Sequence, residues 1–391
     1  MDNTYLQNLI SEVKARDGGL ILSMDGQPEV VVLSVEKYNQ LLNNQAQAIS
    51  EKVSLPQESR SAAFDFSKSV KNILVTGAAG YIGAHVAKKL LEKNHKVIVL
   101  DNLSSGKREN IPPQAKFIEG DLRDVNLLRD IFAQEKIDSV MHFAAAIEVE
   151  ESVKDPQKYF DNNVLGTAKL LEAMKEAGVD KIVFSSTCAV YDGEKSGLFN
   201  EQSALGPTSP YGATKLLAEN IIKYYCDYLG MKAVVFRYFN ACGFDSESNI
   251  RPTHDSHLIA RVMEVAKGRT AFLTINGANY ETPDGSCIRD YVHVLDIANA
   301  HEKALDVLEN GEGYKVYNIG TGRGLSVLEV ANAAAEILNK MIPMEIGPKR
   351  AGDLPVAVAD NIKIKTDLGF EPRFSDLETI LKSSWKQVSQ E

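Results

Sequence analysis

Cysteine is scarce in this chain. The four present, Cys188, Cys226, Cys242 and Cys287, are far apart and form no C-x-x-C pair. That excludes a disulfide framework and a thiolate zinc site, so no metal is expected, and it fits reduced thiols in a cytoplasm. Long apolar runs are also missing: none approaches the ~18 residues of a membrane span. The opening residues, MDNTYLQNL, have neither a basic start nor an apolar core, so no secretory signal is expected. Basic charge is in the minority. Lys and Arg number 43 against 53 Asp and Glu, leaving a net charge of −10. Phosphate neutralisation needs a basic field, so nucleic acid is not expected as the main partner.

What is present is a soluble globular composition, 44% hydrophobic and 25% charged. At 391 residues the chain is long enough for two or three units. Residues 1–48 carry a compact pattern: "GGLILSMDGQPEVVVLS" reads as a hairpin turning at Asp25-Gly26, and "VEKYNQLL" starts a short helix. Residues 49–69 mix Ser, Glu, Gln and Pro without periodicity and read as a linker. From Val70 to about residue 240, apolar strands alternate with helices. "KNILVTG", "KVIVLD", "AKFIEGD", "SVMHFAAA", "KIVFSST" and "KAVVFRYFN" are the strands. This alternation predicts an α/β domain, a doubly wound parallel sheet of the Rossmann type with six strands. Residues 241–391 are more irregular and predict a smaller mixed substrate domain, with some segments returning to the first. No internal repeats are visible.

The first of these strands runs into "TGAAGYIG". Gly77, Gly80 and Gly83 are spaced for a tight turn, close approach of a pyrophosphate to backbone, and a helix N-terminus aimed at the anion. A plain strand–helix turn would use the same residues, but strand and helix flank the motif correctly. Asp101 ends the second strand 18 residues after Gly83. There a carboxylate accepts from the adenine ribose hydroxyls and repels a 2′-phosphate, which favours NAD over NADP. The alternative for Asp101 is a turn or cap. Lys107 and Arg108, which could serve a phosphate, lie beyond the strand end. Asp121, in "GDL" after the third strand, is a candidate partner for the adenine amine.

"SPYGATK" sets Tyr211 four residues before Lys215, one helical turn apart. A free phenol, with a pKa near ~10, is a poor base at neutral pH. An ammonium on the same helix face and a positive nicotinamide both favour the phenolate. Tyr211 could then take a proton from a sugar hydroxyl while the carbon gives hydride to NAD. Y-x-x-x-K arises often by chance on amphipathic helices. The second signal is Thr187 in "FSST", at the carboxyl end of the fifth strand, where its hydroxyl could share the substrate hydroxyl with Tyr211.

Taken together, the glycine pattern, Asp101, "FSST", "YGATK" and "RYFNACG" resemble the extended short-chain dehydrogenase/reductases. "FAAAIEVEESVKDPQKYFDNNVLGT", "DGSCIRDYVHVLDIANAH", "YNIGTGRGLSVLEV" and "RAGDLPVAVAD" are similar, in order, to stretches of the UDP-glucose (UDP-galactose) 4-epimerases within them. The resemblance covers about residues 70–391. It implies a tightly bound NAD, UDP-sugar substrates, a 4-keto intermediate and a homodimer. It makes Tyr211 the base, Lys215 its tuner and holder of the nicotinamide ribose, and Thr187 the residue that orients the hydroxyl. Tyr81, Ile82, Asn102, Ser104, Leu122, Phe143, Ala144, Ala145, Asn162 and Tyr238 correspond to cofactor contacts. Asn240, His257, Leu258, Arg289, Arg350, Asp353 and Ala357 correspond to contacts with the UDP-sugar. Planar, permanently charged arginines suit a diphosphate, although surface ion pairing is the usual fate of an arginine. Asp353 suits the uridine ribose hydroxyls.

The chain departs from the family at Ile147, where some members carry lysine, and at Thr187, where many carry serine. Three other readings stay open: a uronate epimerase, a sugar-nucleotide dehydratase, and a non-enzymatic NAD-binding regulator. A dehydratase of this family has an Asp-Glu pair after the threonine, and here Cys188 and Ala189 follow. An intact Thr-Tyr-Lys set is more than a sensor needs. The first 48 residues resemble the prevent-host-death antitoxins, whose members dimerise and in some cases bind operator DNA. Here Lys14, Arg16 and Lys37 face six acidic side chains, so a dimerising or docking appendage fits better than DNA binding. An inert leftover fold is the other reading.

Overall fold

A computed structural model describes residues 19–24, 27–33, 70–252, 257–311, 313–350 and 353–389. The chain divides into two units, 1–68 and 69–391. In the first, strands β1 (Gly19–Met24) and β2 (Gln27–Leu33) pair antiparallel with Met24 opposite Gln27. The hairpin expected from the sequence is therefore formed. Its Asp25-Gly26 turn, the helix expected from "VEKYNQLL" and the linker 49–69 lie outside the described residues.

The second unit is built on a parallel sheet. Its strands are β3 (Asn72–Thr76), β4 (Lys96–Asp101), β5 (Lys116–Glu119), β6 (Ser139–His142), β7 (Lys181–Thr187), β9 (Lys232–Tyr238) and β13 (Tyr314–Ile319). Their spatial order is β13-β9-β7-β6-β3-β4-β5. Helices cover both faces, and Ile73, Leu74 and Val75 are each fully buried, so β3 reads as an unbroken apolar run. The order reverses between β3 and β6, and in doubly wound sheets the ligand crevice lies at the carboxyl ends of the strands at such a point.

The sequence predicts six strands and the sheet has seven. The extra one, β13, is "YKVYNI", which pairs with β9 from Tyr314↔Ala233 to Ile319↔Tyr238. It lies in the stretch read as irregular, and it is reached only after the helix Val294–Asn310 crosses the sheet. A second feature without a sequence signal is the π-helical turn Phe160–Leu165, between the helices Pro156–Tyr159 and Gly166–Glu176.

The remaining strands form smaller sheets. β10 (Asn240–Cys242), β12 (Ile288–His293), β16 (Val356–Ala359) and β8 (Gly197–Phe199) pair in that order, with β14 (Gly324–Ser326) antiparallel on β12. β11 (Leu273–Asn276) pairs with β15 (Met344–Gly347). A separate core of Val262, Met263, Ile275, Val330 and Ile380 supports this part. Among the described residues, no helix is long and apolar enough to cross a membrane.

Candidate active site

The floor of the crevice is the loop from β3 into the helix Tyr81–Glu92. Gly77 holds φ +76°, and a Cβ there would lie 2.4 Å from Ala144 N. Both backbone conformation and space therefore require glycine. Gly80 is the N-cap, no side chain caps the helix, and its first turn carries no acid. A Cβ on Gly83 would come within 2.5 Å of Gly77 O, so helix and loop pack directly. Tyr81 sends its phenol to Gly243 O. Ile82 packs partly buried against the core behind the sheet.

Asp101, at the end of β4, is 8% exposed. It accepts from Ala79 N at 2.9 Å and from Leu103 N at 2.8 Å, one bond per oxygen. Burial raises its pKa and the two amides lower it. Each oxygen keeps a lone pair for a ribose hydroxyl. Uncapped helix, glycine cradle and buried carboxylate together fit a dinucleotide, and the acid fits NAD.

Farther out, Asn102 donates to Asp121 at 3.0 Å and accepts from Ser104 N at 3.0 Å. Asp121 is also held by both ends of the Arg123 guanidinium, at 2.8 and 2.7 Å, which keeps its carboxyl well below the usual range. Leu122 is buried in the core. Arg108 lies over the Phe117 ring, 4.5 Å from its centre.

After β6 the chain runs Phe143, Ala144, Ala145. Phe143 N donates to Thr76 O, and Ile147 is exposed. Asn162 donates to Lys158 O at 2.8 Å. Its neighbour Asn163, which the sequence analysis passed over, is buried and better tied. It accepts from Ala146 N at 2.8 Å and donates to Ala146 O and Thr214 Oγ1, each at 3.0 Å. Thr214 in turn donates to Tyr211 O at 2.8 Å. The π-helical turn thus ties the cofactor floor to the helix that carries the tyrosine.

That helix, Pro210–Leu229, starts where its sequence signals: Ser209 accepts from Gly212 N at 3.1 Å, and Pro210 takes the first turn. Gly212 allows the close approach to the turn Cys188–Val190 that follows β7, because a Cβ there would lie 2.4 Å from Ala189 O. The approach brings Tyr211 beside Thr187, close enough for the threonine hydroxyl to act on the phenol. Burial pushes the phenol up to about 12, against the pull of the Thr187 hydroxyl. Tyr159 packs edge-on to the Tyr211 ring at 6.5 Å. Lys215 is 3% exposed and sits over Phe184, Nζ 4.4 Å from the ring centre. Burial lowers its pKa to about 7, and Glu219 raises it. Tyr238 donates to His301 Nε2 at 2.7 Å, since His301 Nδ1 faces Ile297 O.

On the other side of the crevice, Asn240 opens β10 and Arg289 lies on β12. Arg289 donates to Leu354 O at 2.7 Å, Ile288 O at 2.9 Å and Asp353 Oδ1 at 3.2 Å. Ala357 is opposite Arg289 in the β12–β16 register and packs against the same buried cluster, Tyr191, Phe199, Phe239 and Ala359, as Cys188, the residue after Thr187. Thr187, Tyr211, Lys215, Tyr238, Arg289, Asp353 and Ala357 are thus brought to one region. Arg350 stands at the surface, 3.9 Å from Glu150. His257, with Leu258 behind it, lines a cavity of about 310 Å³ shared with Tyr81, Lys107 and Arg251. Among the described residues, no cluster of His, Cys, Asp and Glu could hold a metal.

Known proteins match this chain in sequence and in fold. The model of the NAD-dependent epimerase/dehydratase family matches residues 73–320. The UDP-glucose 4-epimerase of Lacticaseibacillus casei is 44% identical over 315 residues, which is 80% of this chain and 95% of that protein. The crystal structure of UDP-glucose 4-epimerase from Brucella ovis in complex with NAD is 40% identical. It superposes with a TM-score of 0.77 over 81% of this chain and 98% of its own. The UDP-Glc/GlcNAc 4-epimerase of Campylobacter jejuni is 39% identical, with a TM-score of 0.72 over 82% and 99%. Sequence matches that run almost the full length of these relatives, on a sheet whose crevice carries the tyrosine, lysine and glycine loop, place the chain in the NAD-dependent epimerase/dehydratase family, among the UDP-glucose 4-epimerases.

Proposed function

We propose that this chain interconverts UDP-glucose and UDP-galactose at C4 of the sugar through a 4-keto intermediate, with NAD as its resident cofactor. The observation that carries this reading is Tyr211 held beside Thr187 on the helix that carries the buried Lys215 one turn further on. Residues 70–240 hold the cofactor, and 241–391 mainly the sugar nucleotide. Bound NAD supplies the two-electron acceptor at C4 and a positive charge beside a phenol that burial alone keeps un-ionised. Tyr211 takes the proton of the C4 hydroxyl, Thr187 orients that hydroxyl, and Tyr211 returns the proton once the sugar has turned over. Lys215 holds the nicotinamide ribose. Arg289 has three of its five N–H bonds engaged, which leaves two for the diphosphate. Arg350 reaches the same group from the surface, and Asp353 receives the uridine ribose. The dehydratase reading lacks its acid and base. Cys188 is raised to about 11 by burial, and Ala189 has no proton to give.

The test uses protein purified without added NAD. Denaturing it should release the nucleotide, and the intact protein should convert UDP-galactose to UDP-glucose with none supplied. A chain lacking residues 1–60 should do the same, because relatives such as the L. casei enzyme match this chain over only 80% of its length yet over 95% of their own. A protein without nucleotide that needs stoichiometric NAD for turnover sinks the reading.

Substrate range follows from β16. Its alternation puts Ala357 on the face that packs against Tyr191, Phe199 and Phe239, while Val358 faces Gly324, where a Cβ would meet its Cγ2 at 2.8 Å. Neither neighbouring valine fills the space above Ala357, so a 2-acetamido group has room. UDP-GlcNAc and UDP-GalNAc should be interconverted alongside the plain pair, and Ala357→Tyr should lower kcat/KM for the N-acetylated pair selectively. A wild type that ignores those sugars, or a tyrosine variant with an unchanged ratio, rejects this.

The partner is a second copy of the chain. Leu217, Tyr224 and Tyr228 recur on one face of the helix Pro210–Leu229, and Tyr228 is 78% exposed. Val153, Phe160 and Leu165 add exposed apolar surface on the helical segments packed beside it. Light scattering should return twice the chain mass, and Tyr224→Glu with Tyr228→Glu should return one; a monomeric wild type refutes the dimer.

A further inference from the structure

Glu219 stands one helical turn beyond Lys215 and is 1% exposed. Its carboxylate takes both ends of the Arg237 guanidinium, Nε to Oε1 at 3.0 Å and Nη2 to Oε2 at 2.6 Å. It also accepts from the Ser186 hydroxyl and, at 3.4 Å, from the Tyr314 phenol. Ser186 directly precedes Thr187 on β7, Arg237 directly precedes Tyr238 on β9, and Tyr314 opens β13. One buried carboxylate therefore joins three strands of the sheet to the helix that carries Tyr211 and Lys215.

We propose that Glu219 is a positioning residue of the reaction: it fixes Thr187 against the Tyr211 helix through Ser186, and it is the counter-charge that keeps Lys215 an ammonium. The inference rests on the roles given above to Tyr211, Thr187 and Lys215. Burying an ammonium is costly unless an opposite charge faces it. The groups that act on Lys215 are the Phe184 ring, the His142 imidazole and Glu219, with Tyr211 one turn before it on the same helix. His142 is itself neutral in its buried site, bonded to Thr76 and Thr167. Tyr211 faces Thr187, Cys188, Glu148 and Tyr238. Within this set, Glu219 is the group whose charge favours the protonated lysine. Arg237 holds both oxygens of that carboxylate, with its guanidinium 5.0 Å from the Tyr191 ring centre, and tempers the charge. The two arms of the salt bridge therefore act on Lys215 with opposite sign.

The experiment is the pH profile of kcat/KM for UDP-galactose, whose alkaline limb marks loss of the Lys215 proton. Removing the counter-charge lowers the lysine pKa, so Glu219→Gln should move the limb to lower pH by about one unit. Arg237→Met leaves the carboxylate untempered and should move the limb to higher pH. The double variant Glu219→Gln/Arg237→Met removes both charges, leaves no unpaired buried ion, and should follow Glu219→Gln. Limbs that stay put while kcat or melting temperature falls, or that all move together, overturn the proposal. A wild type without turnover of UDP-galactose would instead overturn the proposed function on which it rests.

Discussion

Replacing Tyr211 by phenylalanine should lower kcat at least ~10²-fold, the ordinary cost of losing a general base, with the fold intact. The substitution deletes one oxygen. The ring keeps its edge-on packing against Tyr159, and the helix keeps its Ser209 cap and its Thr214–Tyr211 backbone bond. Thr187 loses a polar neighbour, a cost of at most roughly 1 kcal/mol, which is small against the stability of a domain this size. Circular dichroism and melting temperature should therefore match wild type while turnover collapses. Turnover near wild type would remove Tyr211 from the mechanism and leave its pairing with Thr187 as packing.

Gly77→Ala should strip the protein of its nucleotide. Two costs add at this position. A φ of +76° is left-handed, and an L-residue pays ~1–2 kcal/mol to hold it. A Cβ would also stand 2.4 Å from Ala144 N and 2.7 Å from Phe143 C, and both are backbone atoms that cannot rotate away. The relief available is to move the Phe143–Ala145 segment off the loop, which opens the cradle. NAD released on denaturation should fall below one tenth of the wild-type content, and activity should fall with it. Gly178→Ala is the control: its φ is +72°, but nothing lies within 4 Å of the new Cβ, so it carries the backbone strain without the clash. If both variants lose nucleotide equally, destabilisation explains the loss and the cradle does not.

Local chemistry made much of this protein legible from its residues alone. Continuous apolar strands alternating with helices dictated a parallel sheet, because only a sheet covered on both faces buries such runs. The glycine spacing, the acid after the second strand and the Ser-Pro start of the tyrosine helix each depend on neighbours within a few positions. What required the tertiary structure was nonlocal. β13 has the composition of a strand, but only the free edge of β9 and the crossing helix before it give it a place in the sheet. Asn163 and Asn162 are adjacent and chemically identical; the π-helical turn decides which one is buried and bonded to Ala146 and Thr214. Ala357 and Val358 face opposite ways because β16 is held in register by β12 and β8. Glu219, four residues after Lys215, gains its meaning from Arg237 and Tyr314 on two other strands. Periodicity reports which way a residue points within its own element, and only the packing of distant elements decides what it meets there.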